Sequence, residues 1–494
     1  MEDITSLAKR RGLFWPTADI YGGIAGYYDY GHVGALLKRR LESAWISFFI
    51  DSGDNYYLLD ASTILPEKPL VASGHAALFN DILVSCARCK TYYRADVLIA
   101  DSGIKVSEGA GPEEIDQVVE DNKIACPKDG GKLGKSRPFN MMFDVYLGPD
   151  RSEKGYLRPE TAQSVYLNFF REFNVLRKSM PVGLALIGKA YRNEISPRQG
   201  LYRLRELTQA ELQIFFNPES FPVDIGKFEE RELTVFFYGA EKSERIKVRD
   251  VIGKHGIPEF YAYHMALIDI FYTEVLGVPA SSFRFFEKGG DSKAFYNKVH
   301  MDLEVYVDSW GGFKEVGGLH YRTDYDLKSH SKGSNKDFSV LVDGKRFVPH
   351  VLELSFGIDR NVWMLSDTMF AKIEDRSVMK LPNYLAPFAA GIFPLQHEDS
   401  IEKVATALHK KLKTKFRMEY DDAGSIGRRY ARMDEIGTPF CITVDYETVD
   451  TGSPNHNTVT VRYRDEKKQE RVKIDDIAAF LEKNTRLDVQ DFIG

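Results

Sequence analysis

After Gly34 the apolar residues Leu37, Leu41, Trp45, Phe48 and Phe49 fall at helical spacing until Asp51-Ser52-Gly53 breaks the pattern, which predicts a long amphipathic helix. Its apolar stripe needs a packing partner. Tyr56 to Leu59 reads as a short strand, followed by Ile64-Leu65-Pro66, where proline limits further ladder pairing. From Pro138 to Phe216 strand and helix patterns alternate. Met301 to Val307 reads as a strand, and Phe338 to Arg346 as a pair turning at Asp343-Gly344. A helix after Gly357 closes this first domain, expected over 1–381, and Pro382-Asn383-Tyr384 has the composition of a linker. Beyond it the chain reads as a strand (Ala389 to Phe393), a basic helix (Ile401 to Phe416) and a second helix (Ile426 to Ile436). Two strands (Phe440 to Val444 and Thr458 to Arg464) and a helix from Asp475 follow. That alternation predicts an α/β domain over 382–494 with a mainly parallel or mixed sheet.

Residues 84–135 differ in character. Cys86-Ala-Arg-Cys89, an acidic connector from Glu113 to Asp121 and Cys126-Pro-Lys-Asp129 suggest a small insertion with its own stabilising device. Four cysteines in 494 residues are too few for a disulfide scaffold, so the Cys-x-x-Cys pair favours metal binding or free thiols in a reducing compartment. The length predicts two to four domains, and 43% hydrophobic with 28% charged residues is an ordinary globular balance. No apolar run approaches the ~20 residues of a membrane span, and the acidic opening Met1-Glu2-Asp3 is unlike a secretory signal, so a cytoplasmic location without membrane association is expected. The net charge of −6 does not advertise a nucleic-acid binder. It does not exclude one, because Lys410, Lys411, Lys413, Lys415, Arg417, Arg428, Arg429 and Arg432 offer a local basic face.

The densest chemistry lies from Ala190 to Glu211, where fixed cations alternate with carboxylates between two strand-like runs joined by a turn-rich loop. Arginine keeps its proton and presents a planar fork of donors, so Arg192, Arg203 and Arg205 suit phosphate oxygens. Glu194, Glu206 and Glu211 must then balance those arginines, read an amino group or hold a metal ion. Neither Gly-x-x-x-x-Gly-Lys-Ser/Thr nor a strand-to-helix Gly-x-Gly-x-x-Gly is present, so a nucleotide would be held by side chains, Arg360 among them.

Arg158-Pro-Glu-Thr-Ala-Gln163, the Arg192 to Glu211 segment and Glu353 to Arg360 together resemble the class II aminoacyl-tRNA synthetases, and most closely the homodimeric glycyl-tRNA synthetases. Ile20 to Gly26, Ala72 to His75, Gly155 to Gln163 and Asp422 to Arg432 extend the resemblance over nearly the whole chain. It implies an α+β catalytic domain on an antiparallel sheet, a small zinc-knuckle-like insertion, and a C-terminal α/β anticodon-binding domain shared with the histidyl, prolyl and threonyl enzymes. The implied activity is glycine–tRNA ligation: ATP-dependent formation of glycyl-adenylate, then transfer to the 3′ end of tRNA(Gly). The alternatives are another class II synthetase of the prolyl, threonyl and histidyl subgroup, and a non-catalytic tRNA-binding paralogue.

The same resemblance assigns residues. The Gly34 helix and the strand ending at Pro66 match the dimer-building motif, which would give the apolar stripe its partner; the alternative is that the helix packs within its own subunit for part of that stripe. Arg192, Glu194, Arg203 and Arg360 match the catalytic set, and Asn193, Leu204, Leu207, Glu315 and Val316 complete the ATP contacts, with Glu315 holding ATP-bound Mg2+. Glu160, Glu211, Glu353, Leu354, Ser355, Arg158 and Gln163 match the glycine pocket. Three acids so close would raise one another's pKa values until a cation arrives; the structural alternative for Glu353 is simple pairing with Arg360. Three positions depart from the family pattern: Leu207 stands for an adenine-stacking phenylalanine, Leu354 for a proline, and Asp129 for a fourth cysteine. Cys86, Cys89, Cys126 and Asp129 therefore either hold zinc or have lost it, while Cys441 reads as a buried strand residue.

Overall fold

The computed structural model describes residues 4–104, 106–107, 110–177, 180–197, 199–290, 297–374 and 376–494. Its centre is a nine-stranded sheet built from β1 (Tyr56–Leu59), β2 (Val182–Tyr191), β3 (Glu206–Phe216), β4 (Glu232–Phe236) and β5 (Glu244–Lys247), with β6 (Phe283–Glu287), β7 (Val299–Val307), β8 (Gly312–Thr323) and β9 (His350–Gly357). The strand order is β5-β4-β6-β7-β8-β9-β3-β2-β1. The six central strands, β6 to β2 in that order, pair antiparallel; only β1–β2 and β4–β6 are parallel.

Period-two alternation divides these strands into two faces. Met301, Leu303, Leu319, Leu212, Leu354 and Phe356 are buried in the hydrophobic core below the sheet. Their alternates, His300, Asp302, His320, Arg322, Gln209, Glu211, Gln213, Glu353 and Ser355, rise on the other face. Cross-strand pairing sets Glu211 opposite Ser355, Gln213 opposite Glu353 and His320 opposite both Glu353 and His300. A one-residue slip of any of these strands would exchange the polar set for the core set.

The helix α1 (His32–Ile46) ends in a wider turn, Ser47–Asp51, and lies under the core side of the sheet. Leu37, Leu41, Trp45, Phe48 and Phe49 are 0–3% exposed within the single chain. Trp45 and Phe49 meet Phe356 of β9 at ring separations of 5.9 and 5.1 Å. The expectation that a second subunit covers this stripe is therefore corrected: the sheet's own underside already supplies the partner. Exposed apolar groups lie instead at Leu58 on the edge strand β1 and at Ile64 in the short strand Ile64–Pro66.

The insertion forms a three-stranded sheet with two helices around a small core of Val84, Ala95, Leu98, Ile99, Ile115 and Leu133. Following β9, α2 (Ile358–Thr368) leads to a hairpin, Phe370–Met379. The 382–384 segment is no loose tether, because Leu381 and Leu385 are fully buried and Tyr384 donates a 2.7 Å hydrogen bond to the Val275 carbonyl. The C-terminal region carries β10 (Ala390–Pro394), β11 (Met418–Tyr420), β12 (Phe440–Val444), β13 (Thr458–Tyr463) and β14 (Gln469–Lys473) in the order β11-β10-β12-β13-β14, parallel at one end and antiparallel at the other. Cys441 is buried in β12, where burial pushes its thiol up to about 12. No helix among the described residues is long and apolar enough to cross a membrane.

Candidate active site

A cleft opens on the polar face of the sheet, and its two ends differ in charge. At the inner end three carboxylates converge from different elements. Glu160 follows strand Glu153–Leu157, Glu211 rises from β3 and Glu353 from β9. Ser355 Oγ donates to Glu211 at 2.9 Å, and Thr161 Oγ1 donates to it at 2.6 Å.

Sequence reasoning missed the groups that hold this cage together. Arg322 of β8, 5% exposed, contacts Glu353 at 3.3 Å and Asp326 at 2.9 Å. His320 Nδ1 lies 2.6 Å from Glu353, and His75 Nε2 lies 3.4 Å from Glu160. The available signal was alternation along His320-Tyr-Arg322 opposite Glu353, legible only with the strand register in hand. Glu353 pairs with Arg322, not with Arg360.

These partners correct the expectation that all three acids raise one another. Burial alone would raise Glu353, but Arg322 and His320 draw it down to about 2. Burial likewise opposes ionisation of Glu160, yet His75 and Arg322 outweigh it and hold that carboxyl well below the usual range. Glu211 alone is raised, to about 8, first by burial and then by the charges of Glu353 and Glu160. Because the folded value exceeds the unfolded 4.5, the native state binds the extra proton between those limits, and the stability it contributes is lost as pH rises from about 4.5 to about 8. Denaturant titrations at several pH values are expected to show Glu211→Gln gaining on wild type steadily across that window; a pH-independent difference would contradict the raised value.

The outer end is lined by guanidinium groups and apolar walls. Arg192 extends past the end of β2, donates Nε–H to the Pro159 carbonyl at 3.1 Å, and lies over the Phe79 ring. No ion pair fixes Arg192 among the described residues. Arg203 stands 3.8 Å from Glu194, whose buried Oε2 has no hydrogen-bond partner. Arg360, in the first turn of α2, pairs with Glu315 at 3.0 Å and covers the Tyr202 ring at 4.7 Å. Leu204, Leu207, Val316 and Tyr202 form the apolar wall, Tyr202 being a further residue that sequence reasoning missed. Behind it Asp359 accepts from Lys38 at 2.8 Å, from Tyr30 at 2.6 Å and from the Thr208 amide, tying α1 to β3 and α2.

Several expected site residues lie outside the cleft wall. Arg158 is buried and donates to the Lys189, Ala61 and Ser62 carbonyls, bracing β2 from behind. A Cβ at Gly188 would sit 2.2 Å from its Nη2, so glycine is required there. Gln163 positions Glu160 with a 3.0 Å hydrogen bond. Leu354 points into the core by strand alternation, and Asn193 is absent from the cleft lining, its backbone N–H bonded to the Met141 carbonyl. Arg205, expected to suit phosphate, spends its guanidinium on the Glu194 and Ala25 carbonyls. In the C-terminal region Arg429 is buried against the Pro394, Asp422 and Gly424 carbonyls and Arg432 binds Asp421, so neither is free for a basic face. Lys410, Lys413, Lys415, Arg417 and Arg428 are exposed.

Residues 143–369 match the model of the tRNA synthetase class II core domain (G, H, P, S and T), and residues 389–484 match that of the anticodon binding domain. Curated relatives include the glycine–tRNA ligases of Aeropyrum pernix (35% identical, 96% of this chain and 95% of the relative) and Pyrococcus abyssi (35%, 96% and 97%). That of Methanococcus maripaludis is 34% identical over 97% of this chain and 99% of its own. The chain belongs to the glycine–tRNA ligase family. The class II fold of this family member is also seen in the likeness to a solved prolyl-tRNA synthetase of Cryptosporidium parvum, at TM-score 0.57 and 12% identity over 98% of this chain and 77% of the other. The expected combination of an antiparallel-sheet catalytic core and an α/β anticodon-binding domain is thus what this glycine–tRNA ligase family member has.

Proposed function

We propose that this chain ligates glycine to tRNA through an enzyme-bound glycyl-adenylate. The observation that carries the reading is the carboxylate cage of Glu160, Glu211 and Glu353 next to a guanidinium-lined wall, which suits an ammonium at one end of a small molecule and phosphate at the other. Glycine has no side chain to grip, so its ammonium enters the cage. Ser355 and Glu211 fix its orientation, and packed walls turn away larger amino acids at a cost of about 1–3 kcal/mol per added methyl or more.

The glycine carboxylate then attacks the α-phosphorus of ATP and pyrophosphate leaves. Arg192, Arg203 and Arg360 meet the charge that builds on the phosphates, and no side chain acts as nucleophile. Adenine lies against Leu207 and Leu204, with Arg360 on its other face, and the orphaned Oε2 of Glu194 fits an N–H donor such as an adenine amino group. Magnesium carried with ATP neutralises phosphate charge, and Glu315 with its cross-strand neighbour Glu304 offers the hard oxygen ligands it prefers. In the second step the 3′-terminal adenosine hydroxyl attacks the glycyl carbonyl and AMP leaves. The exposed lysines of the helix Asp399–Leu412 and the segment after it suit an RNA backbone. A homodimer built along the β1 edge and Ile64–Pro66 would cover Leu58 and Ile64.

Glycine-dependent ATP–pyrophosphate exchange tests the reading, with alanine, serine, proline and threonine inactive. Exchange driven by one of those amino acids and not by glycine would overturn it.

The knuckle residues fit a metal. Ligand atoms of Cys86, Cys89, Cys126 and Asp129 lie within 4.8 Å of one another, with Cys89 and Cys126 Sγ 3.6 Å apart and Cys86 Sγ 3.4 Å from Asp129 Oδ1. Three thiolates and a carboxylate would hold zinc as a structural ion, and binding would stabilise the insertion. Protein purified without chelator is expected to hold stoichiometric zinc that Cys126→Ser releases, as read by elemental analysis.

A further inference from the structure

We propose that His300, Asp302 and His320 form a second metal site, for a divalent transition cation of the zinc class, on the cleft wall beside the carboxylate cage. Their ligand atoms all lie within 4.8 Å of one another. All three stand on rigid, adjacent strands: His300 and His320 are direct cross-strand partners, and Asp302 is the next residue of β7 on the same face. Opposite Asp302 the partner is Gly318, where a Cβ would sit 2.5 Å from His320 Nε2. The missing side chain thus leaves that nitrogen open toward Asp302.

The hydrogen bonds around the triad are those of a metal site. His320 uses Nδ1 on Glu353, at 2.6 Å, which leaves Nε2 as the ligand atom and supplies the carboxylate partner that orients a metal-bound imidazole. His300 directs Nε2 at Asp302, 3.1 Å away, and Nδ1 at the side-chain amide nitrogen of Asn297, 3.3 Å away.

The Asn297 amide supplies an independent observation. Its Oδ1 is buried without a hydrogen-bond partner in a residue only 6% exposed. The two ends of such an amide are assigned only by their neighbours. Turning it over places Oδ1 against His300 Nδ1, which then carries the proton, and puts the amide nitrogen in the partnerless position. His300 Nε2 is thereby left as a lone pair facing the Asp302 carboxylate. A positive charge, either a proton on Nε2 or a metal ion, then lies between these two acceptors. Lys288 approaches Asp302 through Oδ2, at 3.7 Å, and leaves Oδ1 to the site.

Two imidazoles and one carboxylate suit zinc and its first-row neighbours, with a fourth position open to the cleft. This chemistry differs from that of the thiolate knuckle, which makes the two sites separable. Equilibrium dialysis of the full chain against Zn2+, compared with His300→Gln and Asp302→Asn, provides the test. Both variants are expected to bind one equivalent fewer than wild type. With Co2+ in place of Zn2+, the absorption lost in Asp302→Asn should carry no thiolate charge-transfer band. Equal metal content in wild type and both folded variants would overturn the site, as would a lost signal of thiolate origin. Metal counting needs no aminoacylation, so a negative result here leaves the ligase reading untouched, and the reverse also holds.

Discussion

Replacing Arg192 by alanine is expected to slow glycine-dependent ATP–pyrophosphate exchange by roughly 10²–10³-fold, chiefly in kcat, the scale on which removing one preorganised donor to a developing anion acts. The magnitude follows from how this arginine is held. One nitrogen is anchored on the Pro159 carbonyl and the guanidinium face rests over Phe79, while no carboxylate among the described residues neutralises it. It is therefore preorganised and carries its charge undiminished into the cleft. Arg205, two positions from Arg203, makes the contrasting control. Its donors are consumed by backbone carbonyls, so Arg205→Ala should loosen the 192–205 loop and raise the KM for ATP more than it lowers kcat. Steady-state exchange kinetics on the two variants separate these outcomes, and equal kcat losses would contradict the assignment of Arg192 to the transition state.

The second large effect belongs to Arg322. Its replacement by methionine keeps volume but leaves Glu353, Asp326 and Glu160 without their shared cation in a buried setting. A loss of about 3–5 kcal/mol in unfolding free energy is expected, the range for breaking a buried ion pair from one side. Where the variant stays folded, Glu353 should be harder to ionise and the KM for glycine should rise steeply. Chemical denaturation measures the first effect and glycine titration of the exchange reaction the second. A variant as stable as wild type would show that the cage does not depend on Arg322.

Much of this arrangement was legible in the sequence, and the exceptions share a cause. The runs around Arg192, Glu211 and Glu353 could be read because apolar alternation and charged signatures coincide there. The insertion could be read as a separate unit because its cysteines and acidic connector differ from the sequence around them. Arg322, His320 and His75 could not, since each is a single polar residue whose role depends on which strand or loop lies opposite. The strand β8 escaped notice because its glycines, Gly312, Gly317 and Gly318, break the apolar alternation that marks a strand. Gly317 and Gly318 have a spatial reason: a Cβ would meet the Ser355 carbonyl at the first and His320 Nε2 at the second, each at 2.5 Å. Arg429 failed in the opposite direction. Its charge suggests an exposed contact, yet its guanidinium donates to three backbone carbonyls and the side chain is buried. The apolar stripe of α1 is legible as a stripe but its partner is not, because amphipathicity states that a face is covered and not by which chain.

The sheet order has a consequence for how the molecule is made. The hydrogen bond from Ser355 to Glu211 spans 144 residues, and the neighbour of β3 on that side, β9, is synthesised only after β4 to β8. Until His350–Gly357 has left the ribosome, β3 has an open edge flanked by apolar residues such as Leu212, Ile214 and Phe215, and the cage has only two of its three acids. A nascent chain of this protein is thus expected to expose that edge while residues 217–357 are made, and the proposed amino-acid cage is complete only when nearly three quarters of the chain exists. Fragments ending before β9 should bind chaperones rather than glycine, and stabilisation by the amino acid is expected only once this last strand of the cage inserts.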